Sequence, residues 1–281
     1  MRTETFQSPD PVRLDVRLGS GEIRLETSQN AETTVTLEPL RDNDASASAI
    51  QEARVEQRGD DILVDVRDRG RGFRGADVLV TIQCPEESSA RAKTGSADIE
   101  GRGRFSSVEV ETGSGDVQFS EVSGEVEINA ASGDVQLATI GGRARINTAS
   151  GDVQLGSVGD EARINSASGD VQIREARNGL QVNTASGDVL VREASSSVSG
   201  NSASGDQTIG SVSQGKVELK SASGDMKIGI REGSTLWVDA RSRSGDVSSE
   251  LPVSDLPPEG DAPHVELRAN SMSGDITVVR A

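Results

Sequence analysis

The tripeptide Ser-Gly-Asp recurs along the chain at a spacing of 18 residues. Its aspartates in the regular part of the sequence are Asp116, Asp134, Asp152, Asp170, Asp188 and Asp206. The variant TGSAD places Asp98 18 residues earlier, and Asp225, Asp246 and Asp275 follow at wider intervals. A fixed period of this length is typical of repeat architectures, in which each repeat is one supersecondary unit. The chain is therefore expected to fold as a stack of similar units.

Each repeat divides into two short β-strands and two turns. In residues 148–165, TASGDVQLGSVGDEARIN, the segments DVQL and ARIN place apolar residues at every second position. Val153 and Leu155 are the apolar residues of the first segment, and Ala162 and Ile164 are those of the second. Alternation with period two indicates a strand with one buried face. The segments TASG and VGDE contain the Gly, Ser and Asp residues that are typical of turns.

A single coil of this kind buries too few apolar side chains to be stable alone. Stacked coils bury a common core, and every backbone group can pair with the coil on either side. We therefore predict an all-β fold, a parallel β-solenoid or β-roll with about ten coils of 18 residues over residues 94–281. The composition fits a thin core, because 33% of the residues are hydrophobic and 2% are aromatic.

Residues 1–93 keep the pattern of β-strands but lose the 18-residue period. We expect them to form a small β-sheet cap that is continuous with the solenoid and protects its first edge. The segments assigned to this cap are a hairpin around GSG at 12–28, strands at 32–40, 53–68 and 76–85, and loops at 41–48 and 69–75. The proline-rich segment 250–264 interrupts the repeats, and we expect an extended loop there that folds over the last coil.

The composition argues against several classes of site and partner. One histidine and one cysteine cannot form a zinc site, a disulfide or a Cys–His nucleophile pair. The net charge of −17, from 46 acidic and 29 basic residues, argues against binding to nucleic acid. No segment is long and apolar enough to span a membrane, and no secretory signal is evident. We therefore expect a cytoplasmic protein with no nucleic-acid partner and no direct membrane insertion.

The opening VRLDVRLGSGEIRL and the serial TGSGDV and SASGDV units resemble the bacterial putative-adhesin family, a β-strand-repeat domain of unknown function. The resemblance covers nearly the whole chain. It implies a β-solenoid or β-roll fold and no enzymatic activity, and it supplies no catalytic residues.

Three functions are consistent with this architecture. The first is a non-enzymatic structural or protein-interaction scaffold, whose partner is another protein or a second copy of the chain. The second is a self-assembling rod or filament component, in which coils of successive copies stack end to end. The third is a calcium-binding β-roll, because stacked oxygen ligands on turns suit calcium.

The aspartate column argues against calcium, because only one half of each coil carries Gly-Asp. We expect each aspartate to accept a hydrogen bond from its own turn instead. Identical columns on a regular stack form no unique cleft of the kind that paired catalytic carboxylates need. The sequence therefore predicts no enzyme and no catalytic, metal-binding or cofactor-binding residue.

The candidate contact surface consists of two columns and one loop. The glutamine column contains Gln118, Gln136, Gln154 and Gln172. The asparagine column contains Asn147, Asn165 and Asn183. The arginine loop, RGRGFRG, contains Arg69, Arg71 and Arg74. Stacked coils convert such columns into ladders, and amide ladders gain from hydrogen bonds between successive coils.

Overall fold

The computed structural model describes residues 1–66, 75–251 and 263–281. Within these residues the chain forms 25 β-strands and one α-helix, which confirms the all-β prediction. It divides into two compact units, Met1–Ile140 and Gly141–Ala281. Each unit consists largely of parallel strands stacked coil upon coil, which confirms the predicted β-solenoid. The arginines of the arginine loop and most of the proline-rich segment lie outside the described residues.

The first unit carries the N-terminal strands, the helix and the first regular coils. Its elements are β1 (Arg2–Gln7), β2 (Arg13–Ser28), β3 (Glu32–Pro39), α1 (Asp44–Glu52), β4 (Arg54–Arg58), β5 (Asp61–Val66), β6 (Val78–Pro85), β7 (Ser89–Phe105), β8 (Ser107–Ser114), β9 (Val117–Val122), β10 (Val126–Ser132) and β11 (Val135–Ile140).

In the first unit the repeat produces parallel pairing between strands that are two apart in the chain. β8 pairs with β10, so that Val108 lies beside Val126. β9 pairs with β11, so that Val117 lies beside Val135. β7 is long enough to pair with both β8 and β9. The two halves of each coil therefore belong to two parallel ladders.

The segment 12–28 forms one long strand, β2, so the predicted hairpin is wrong. β2 pairs in parallel with β7, from Arg13 beside Ser89 to Glu26 beside Arg102. Gly21, the second glycine of the GSG sequence, has a φ of 130° and lies at a corner between the two ladders. A hairpin and a solenoid corner both place glycine between two alternating segments, and only the partner strands distinguish them. The parallel ladders therefore begin well before residue 93.

Antiparallel strands close the parallel ladders at the N-terminal edge of the first unit. β5 and β6 pair in parallel with the two halves of β2, on the edge of β2 that is opposite to β7. β4 then pairs antiparallel with β5, β3 pairs antiparallel with β6, and β1 pairs antiparallel with β3. These strands are the small N-terminal sheet that the sequence predicts, and they protect the edge of the solenoid.

The segment predicted as a loop at 41–48 instead contains the start of the helix α1. The Asn43 side chain caps the helix and accepts a hydrogen bond from the backbone N–H of Ser46 at 2.7 Å. Asp44 lies in the first turn, where a negative charge complements the helix dipole. Ser46 and Ile50 are buried, and the helix contacts β3, β5 and β6. Tertiary packing on the cap therefore stabilises a helix that is short and rich in Ser and Ala.

The second unit contains the remaining coils. Its strands are β12 (Ala144–Ser150), β13 (Val153–Val158), β14 (Ala162–Ser168), β15 (Val171–Ala176), β16 (Leu180–Ser186), β17 (Val189–Ala194), β18 (Val198–Ser204), β19 (Gln207–Val212), β20 (Gly215–Ser223), β21 (Met226–Ile230), β22 (Thr235–Ser242), β23 (Val247–Ser249), β24 (His264–Ser273) and β25 (Ile276–Arg280).

The last strands of the sequence are not the last strands of the stack. β24 pairs in parallel with β20 and with β22, and β25 pairs in parallel with β21 and with β23. The coil of β24 and β25 is therefore inserted between two coils that precede it in the chain. Backbone hydrogen bonds on both edges hold these C-terminal strands in place. In the described residues, β22 and β23 form the end of the ladders.

Small aliphatic side chains fill the interior of each coil. In one coil of the second unit, the buried residues are Val153, Leu155, Val158, Ala162 and Ile164, each at most 3% exposed. Val153 and Leu155, like Ala162 and Ile164, are alternate positions of one strand, as the period-two pattern predicts, whereas Val158 is buried outside that alternation at the end of β13. A core of this width has little room for aromatic rings, which accounts for the low aromatic content of the chain.

In the first unit, a large side chain fills the space left by a glycine that faces the core. A Cβ atom on Gly101 would lie 2.1 Å from the ring of Phe119. Phe119 packs edge-on against Phe105, with ring centroids 5.5 Å apart and an interplanar angle of 85°. The aromatic pair therefore depends on the absence of a side chain at Gly101.

The second unit repeats this arrangement with a polar side chain. A Cβ atom on Gly200 would lie 2.3 Å from Oε1 of Gln207. Gln207 is 2% exposed, and its Nε2 donates a hydrogen bond to the carbonyl of Lys220 at 2.9 Å. Its Oε1 is buried and has no hydrogen-bond partner among the described residues. In neighbouring coils the equivalent positions are Val182 and Val189, so Gly200 and Gln207 are a matched exception.

We predict a strong coupling between Gly200→Ala and Gln207→Val. The first change alone should destabilise the chain by about 1–3 kcal/mol through overpacking. In the double variant the shorter valine removes the clash with Oε1 and the buried, unpaired oxygen, so that only Cδ2 of Leu219, 2.8 Å from the new methyl group, must shift. Urea unfolding of the four proteins should show the double variant to be more stable than Gly200→Ala alone. Additive effects would contradict this account of the interior.

Candidate interaction surface

The glutamine column faces solvent in the first unit. Gln118 on β9 lies beside Gln136 on β11 in the parallel register. Each projects from the outer face of its strand, because the flanking residues Val117 and Phe119 are buried whereas Gln118 is exposed. The structure therefore brings these two predicted surface residues together.

The second unit presents the other half of the glutamine column in the same way. Gln154 on β13 lies beside Gln172 on β15, and both side chains are exposed. In the described parts of the chain, none of the four glutamine amides has a hydrogen-bonded side-chain partner. Each amide therefore keeps its donors and its acceptor available to another molecule.

The asparagine column is instead hydrogen bonded to itself. Nδ2 of Asn165 donates to Oδ1 of Asn147 at 2.8 Å, and Nδ2 of Asn183 donates to Oδ1 of Asn165 at 2.9 Å. Asn201 continues the ladder with a bond of 2.9 Å to Asn183. These side chains are half-buried. The structure brings the predicted asparagines together, but much of their hydrogen-bonding capacity is used within the stack.

The aspartate column forms a ladder between coils, so the prediction that each carboxylate bonds its own turn is wrong. In the second unit, Oδ1 of Asp170 accepts from the backbone N–H of Asp188 at 2.8 Å, and Oδ1 of Asp188 accepts from that of Asp206 at 2.8 Å. The same contact joins Asp98 to Asp116 in the first unit at 3.0 Å. The stacked corner places the next coil closer to the carboxylate than its own turn.

Glycine forms the corner before most aspartates of the ladder, whereas Ala97 precedes Asp98 in the first unit. The predicted turn TASG is strand up to its serine, since β16 continues to Ser186 and only Gly187 and Asp188 form the bend. Gly187 has a φ of 116°, and a Cβ there would lie 2.2 Å from the carbonyl oxygen of Gly169. A side chain would therefore be strained and would clash with the preceding coil. The hydroxyl of Thr184 donates a hydrogen bond to the backbone carbonyl of Ser186 at 2.9 Å, so this carbonyl has a partner at the corner.

The described residues contain no group of three or more His, Cys, Asp or Glu side chains that could hold a metal ion. The aspartate carboxylates are spaced along the ladder rather than gathered around one point. Arg69, Arg71 and Arg74 of the arginine loop lie outside the described residues.

Sequence reasoning missed a charged surface in the first unit. Lys93 on β7 forms an ion pair with Glu111 on β8 at 2.8 Å, and Arg91 forms one with Glu109 at 2.5 Å. Both pairs join residues 18 positions apart, so the repeat itself was the signal that could have predicted them. Exposed ion pairs of this kind contribute little to stability, and they leave the surface neutral in sum.

A shallow depression of about 580 Å³ lies beside the charged surface. It is lined by Gly19 and Gly95, at positions where later coils have alanine, and by Thr94 and Thr112. The Thr94 and Thr112 hydroxyls bond to each other at 2.9 Å. Its polar groups are therefore paired with one another, and none is a nucleophile activated by a base.

Among the described residues, two titratable groups have strongly shifted pKa values, and neither lies on the glutamine column. Burial raises the pKa of the Cys84 thiol to about 11, so this side chain is a poor nucleophile at neutral pH. Hydrogen bonds from Lys220 and Lys216 lower the pKa of the Glu218 carboxyl to about 2. Both shifts follow from packing or ion pairing, and neither places an acid–base pair in a cleft.

The strands, corners and cap are those of a β-repeat protein. A family model matches the sequence of this chain. The model described as Toastrack DUF4097 matches residues 12–214 and 182–279. The chain belongs to the Toastrack DUF4097 family. This assignment confirms the resemblance to a β-strand-repeat domain of unknown function. A comparison of the Toastrack chain with curated proteins finds no match.

Several solved structures are similar to the Toastrack chain. A putative adhesin from Bacteroides fragilis has 13% identity and a TM-score of 0.44, with 99% of this chain and 96% of that chain covered. A putative lipid binding protein from Parabacteroides distasonis has 15% identity and a TM-score of 0.47, with 98% and 96% covered. A putative adhesin from Parabacteroides merdae has 11% identity and a TM-score of 0.40, with 99% and 95% covered. TM-scores below 0.5 mark partial superposition, so the family assignment rests on the family model.

No helix in the described residues of the Toastrack chain has the length and apolar character needed to cross a membrane.

We predict that the aspartate ladder needs an acceptor but not a charge at each position. Asp188→Asn keeps an acceptor for the Asp206 N–H and relieves repulsion between stacked carboxylates, so its urea midpoint should equal or exceed that of the parent. Asp188→Ala removes the acceptor and should cost about 1 kcal/mol. Gln172→Ala, outside the ladder, is the control. Equal losses for Asn and Ala would show that charge is what the corner requires.

We also predict that calcium does not stabilise the chain. One oxygen of a ladder carboxylate within the stack accepts a backbone N–H, as in the contact between Asp188 and Asp206. A calcium site needs six to eight oxygen ligands around one point. Melting curves with millimolar calcium and with EDTA should therefore coincide. A rise of several degrees that EDTA reverses would support the calcium-binding β-roll instead.

Proposed function

We propose that this Toastrack chain is a non-enzymatic, adhesin-like scaffold that binds a protein partner through the glutamine column. The observation that supports this proposal is the exposure of four equivalent amides, none of which has a side-chain partner in the described residues. Extended faces of repeat proteins are commonly used for binding. The column is a regular polar feature of the described residues that remains open to solvent.

The glutamine column is suited to a partner with hydrogen-bonding groups at a matching spacing. Paired strands lie about 4.8 Å apart, so neighbouring amides repeat at that distance within each unit. The strands beneath them are fixed by buried side chains such as Val117 and Val153. The backbone beneath the amides is therefore ordered before binding, and the conformational entropy lost on binding is mainly that of the glutamine side chains.

The other polar columns support stability rather than recognition in this proposal. The asparagine amides bond to the equivalent amides of the next coil, and the aspartate carboxylates accept hydrogen bonds from backbone N–H groups of the next coil. A partner that competed for these groups would have to break existing hydrogen bonds. The contact surface is therefore narrower than the sequence alone suggests, and it centres on the glutamines.

The proposal of a non-enzymatic role is supported by how the acidic residues are used. The ladder aspartates occupy equivalent positions along each stack, so no pair of them lies in a distinct cleft with separate acid and base roles. The depression beside Lys93 and Glu111 is bordered by an ion pair that neutralises both charges. The described residues thus offer no distinct acid and base for catalysis.

Assembly into an open filament is the alternative function, and the cap argues against it. The first unit ends in antiparallel strands, whereas the second ends in the parallel coil of β22 and β23. These two edges differ in strand direction and side-chain pattern. A repeated end-to-end stack would require them to match.

We predict that substitution of the whole glutamine column by alanine abolishes partner capture. The tagged full chain is crosslinked in its own cells and recovered from the soluble and membrane fractions separately. The glutamine variant should lose a specific protein that the parent retains, and the affinity for that purified protein should fall at least tenfold, about 1.4 kcal/mol.

The matched control replaces four outward residues of the other ladder with alanine. These residues are Glu127, Arg145, Gln181 and Ser199. The control should capture the same protein as the parent. Identical capture by the glutamine variant, or turnover of a substrate by the parent that a single substitution removes, would contradict the proposed function.

A further inference from the structure

The terminal strand of the second unit has an open edge. β22 pairs in parallel with β24, and in the described residues no strand pairs with its other side. Val238 is only half-buried, whereas its neighbour Leu267 on β24 is fully buried. Val247 on β23 is 48% exposed, whereas its neighbour Ile276 on β25 is fully buried. The end coil therefore exposes apolar side chains that one more layer of strands would cover.

The backbone groups that point to the open edge belong to the even-numbered residues of β22. The N–H groups of Thr235 and Arg243 donate to carbonyls of the β24 side, at 2.9 and 3.1 Å. Backbone groups alternate between the two edges of a strand. The N–H and C=O groups of Val238, Ala240 and Ser242 therefore face outward, away from β24.

The side chains on the outer face of β22 carry opposite charges two residues apart. Asp239 and Arg241 form an ion pair at 3.1 Å, and their side chains are 39% and 77% exposed. Trp237 lies on the same face, with the guanidinium of Arg268 5.7 Å from its ring centroid. The side chains of a strand added at this edge would therefore contact a short pattern of aromatic, acidic and basic residues.

The charge pattern of β22 is complementary to itself in one antiparallel register. Open backbone groups can pair only when even residues face even residues. If Ala240 faces its own equivalent, Asp239 of each copy faces Arg241 of the other. A shift by one pair towards the start of β22 places Asp239 opposite itself, and a shift towards its end places Arg241 opposite itself; both are repulsive. A further shift towards the start places Asp239 opposite Trp237 and leaves both charges without a cross-strand partner of opposite charge.

We propose that a second copy of this chain docks on the open edge of β22, as an antiparallel strand pair centred on Ala240. In this register Val238 faces Ser242, so that the outward backbone groups of both strands are hydrogen bonded. Asp239 and Arg241 occupy the non-hydrogen-bonded positions, where facing side chains lie closest. A two-fold axis through Ala240 places the apolar faces of both end coils on the same side of the joined sheet.

The second copy is the occupant because the contact is isologous and closed. The same residues serve on both sides, so the association stops at two chains. The glutamine column takes no part in this contact, and the proposal is independent of the proposed function. One strand pair buries less surface than a standard interface of about 1,200–2,000 Å², so we expect a dissociation constant on the order of 10–100 µM.

Sedimentation equilibrium of the full chain from about 5 to 500 µM tests the association. The weight-average mass should rise from 29.4 kDa towards twice that value, with no larger species. A mass that stays monomeric over the whole range would overturn the proposal. A continuous rise to larger species would also overturn it, because a two-fold contact cannot propagate.

Charge exchange tests the register. Asp239→Arg and Arg241→Asp should each be monomeric alone, because like charges then face each other across the axis. An equimolar mixture should restore the dimer, since the two basic side chains of one variant face the two acidic side chains of the other. Restoration on mixing cannot arise from a folding defect, and a mixture that stays monomeric would refute the register.

Two further variants complete the test. Ala240→Pro removes an N–H that points to the open edge and not to β24, so it should block association while the melting temperature stays close to that of the parent. Lys227→Glu, an exposed charge reversal on β21, should associate like the parent. Dimerisation of Ala240→Pro with unchanged affinity would show that the contact lies elsewhere.

Discussion

In-register parallel pairing places most residues of the regular coils beside their equivalents in the next coil. This constraint comes from the backbone, because strands two apart in the chain pair at an offset of 18 residues, as Val126 pairs with Val108 and Ala162 with Ala144. It converts each position of the repeat into a column in space. Columns that face inward become the core, and columns that face outward become ladders of like side chains.

Each outward column then either uses its hydrogen bonds internally or leaves them open. Asparagine is short enough for its amide to reach the amide of the next coil, so Asn165 bonds to Asn147. Aspartate at the corner accepts the backbone N–H of the next coil, so Asp188 holds Asp206 in place. Glutamine is longer, and its amides extend away from the strands into solvent. The same repeat thus produces columns that are hydrogen bonded within the stack and one column whose amides remain open to solvent.

The repetition fails at the termini, and the chain treats its two edges differently. In the first unit, antiparallel strands and the helix α1 follow the outermost parallel strands β5 and β6, so the parallel coils end there. In the second unit, β24 and β25 are inserted one coil before the end, and β22 forms the edge of the described ladders. Strand pairing on both sides holds the C-terminal strands in place. In the described residues, the end coil instead leaves backbone hydrogen-bonding groups unpaired at one edge and exposes charged side chains to solvent. Edge strands that are neither covered nor twisted away are natural points of association.

The sequence by itself determined the repeat, the two strands of each coil and the buried positions. These features follow from local alternation and from a constant period, and residues such as Ile164 and Leu155 are buried as the pattern predicts. Tertiary structure decided which strands are neighbours where the period is lost. It made 12–28 a single strand rather than a hairpin, because β7 pairs along its length. It stabilised α1 by packing it on the cap, inserted β24 beside β20, and directed each aspartate to the next coil. These outcomes depend on contacts between residues far apart in the chain, and a pattern read along one strand does not contain them.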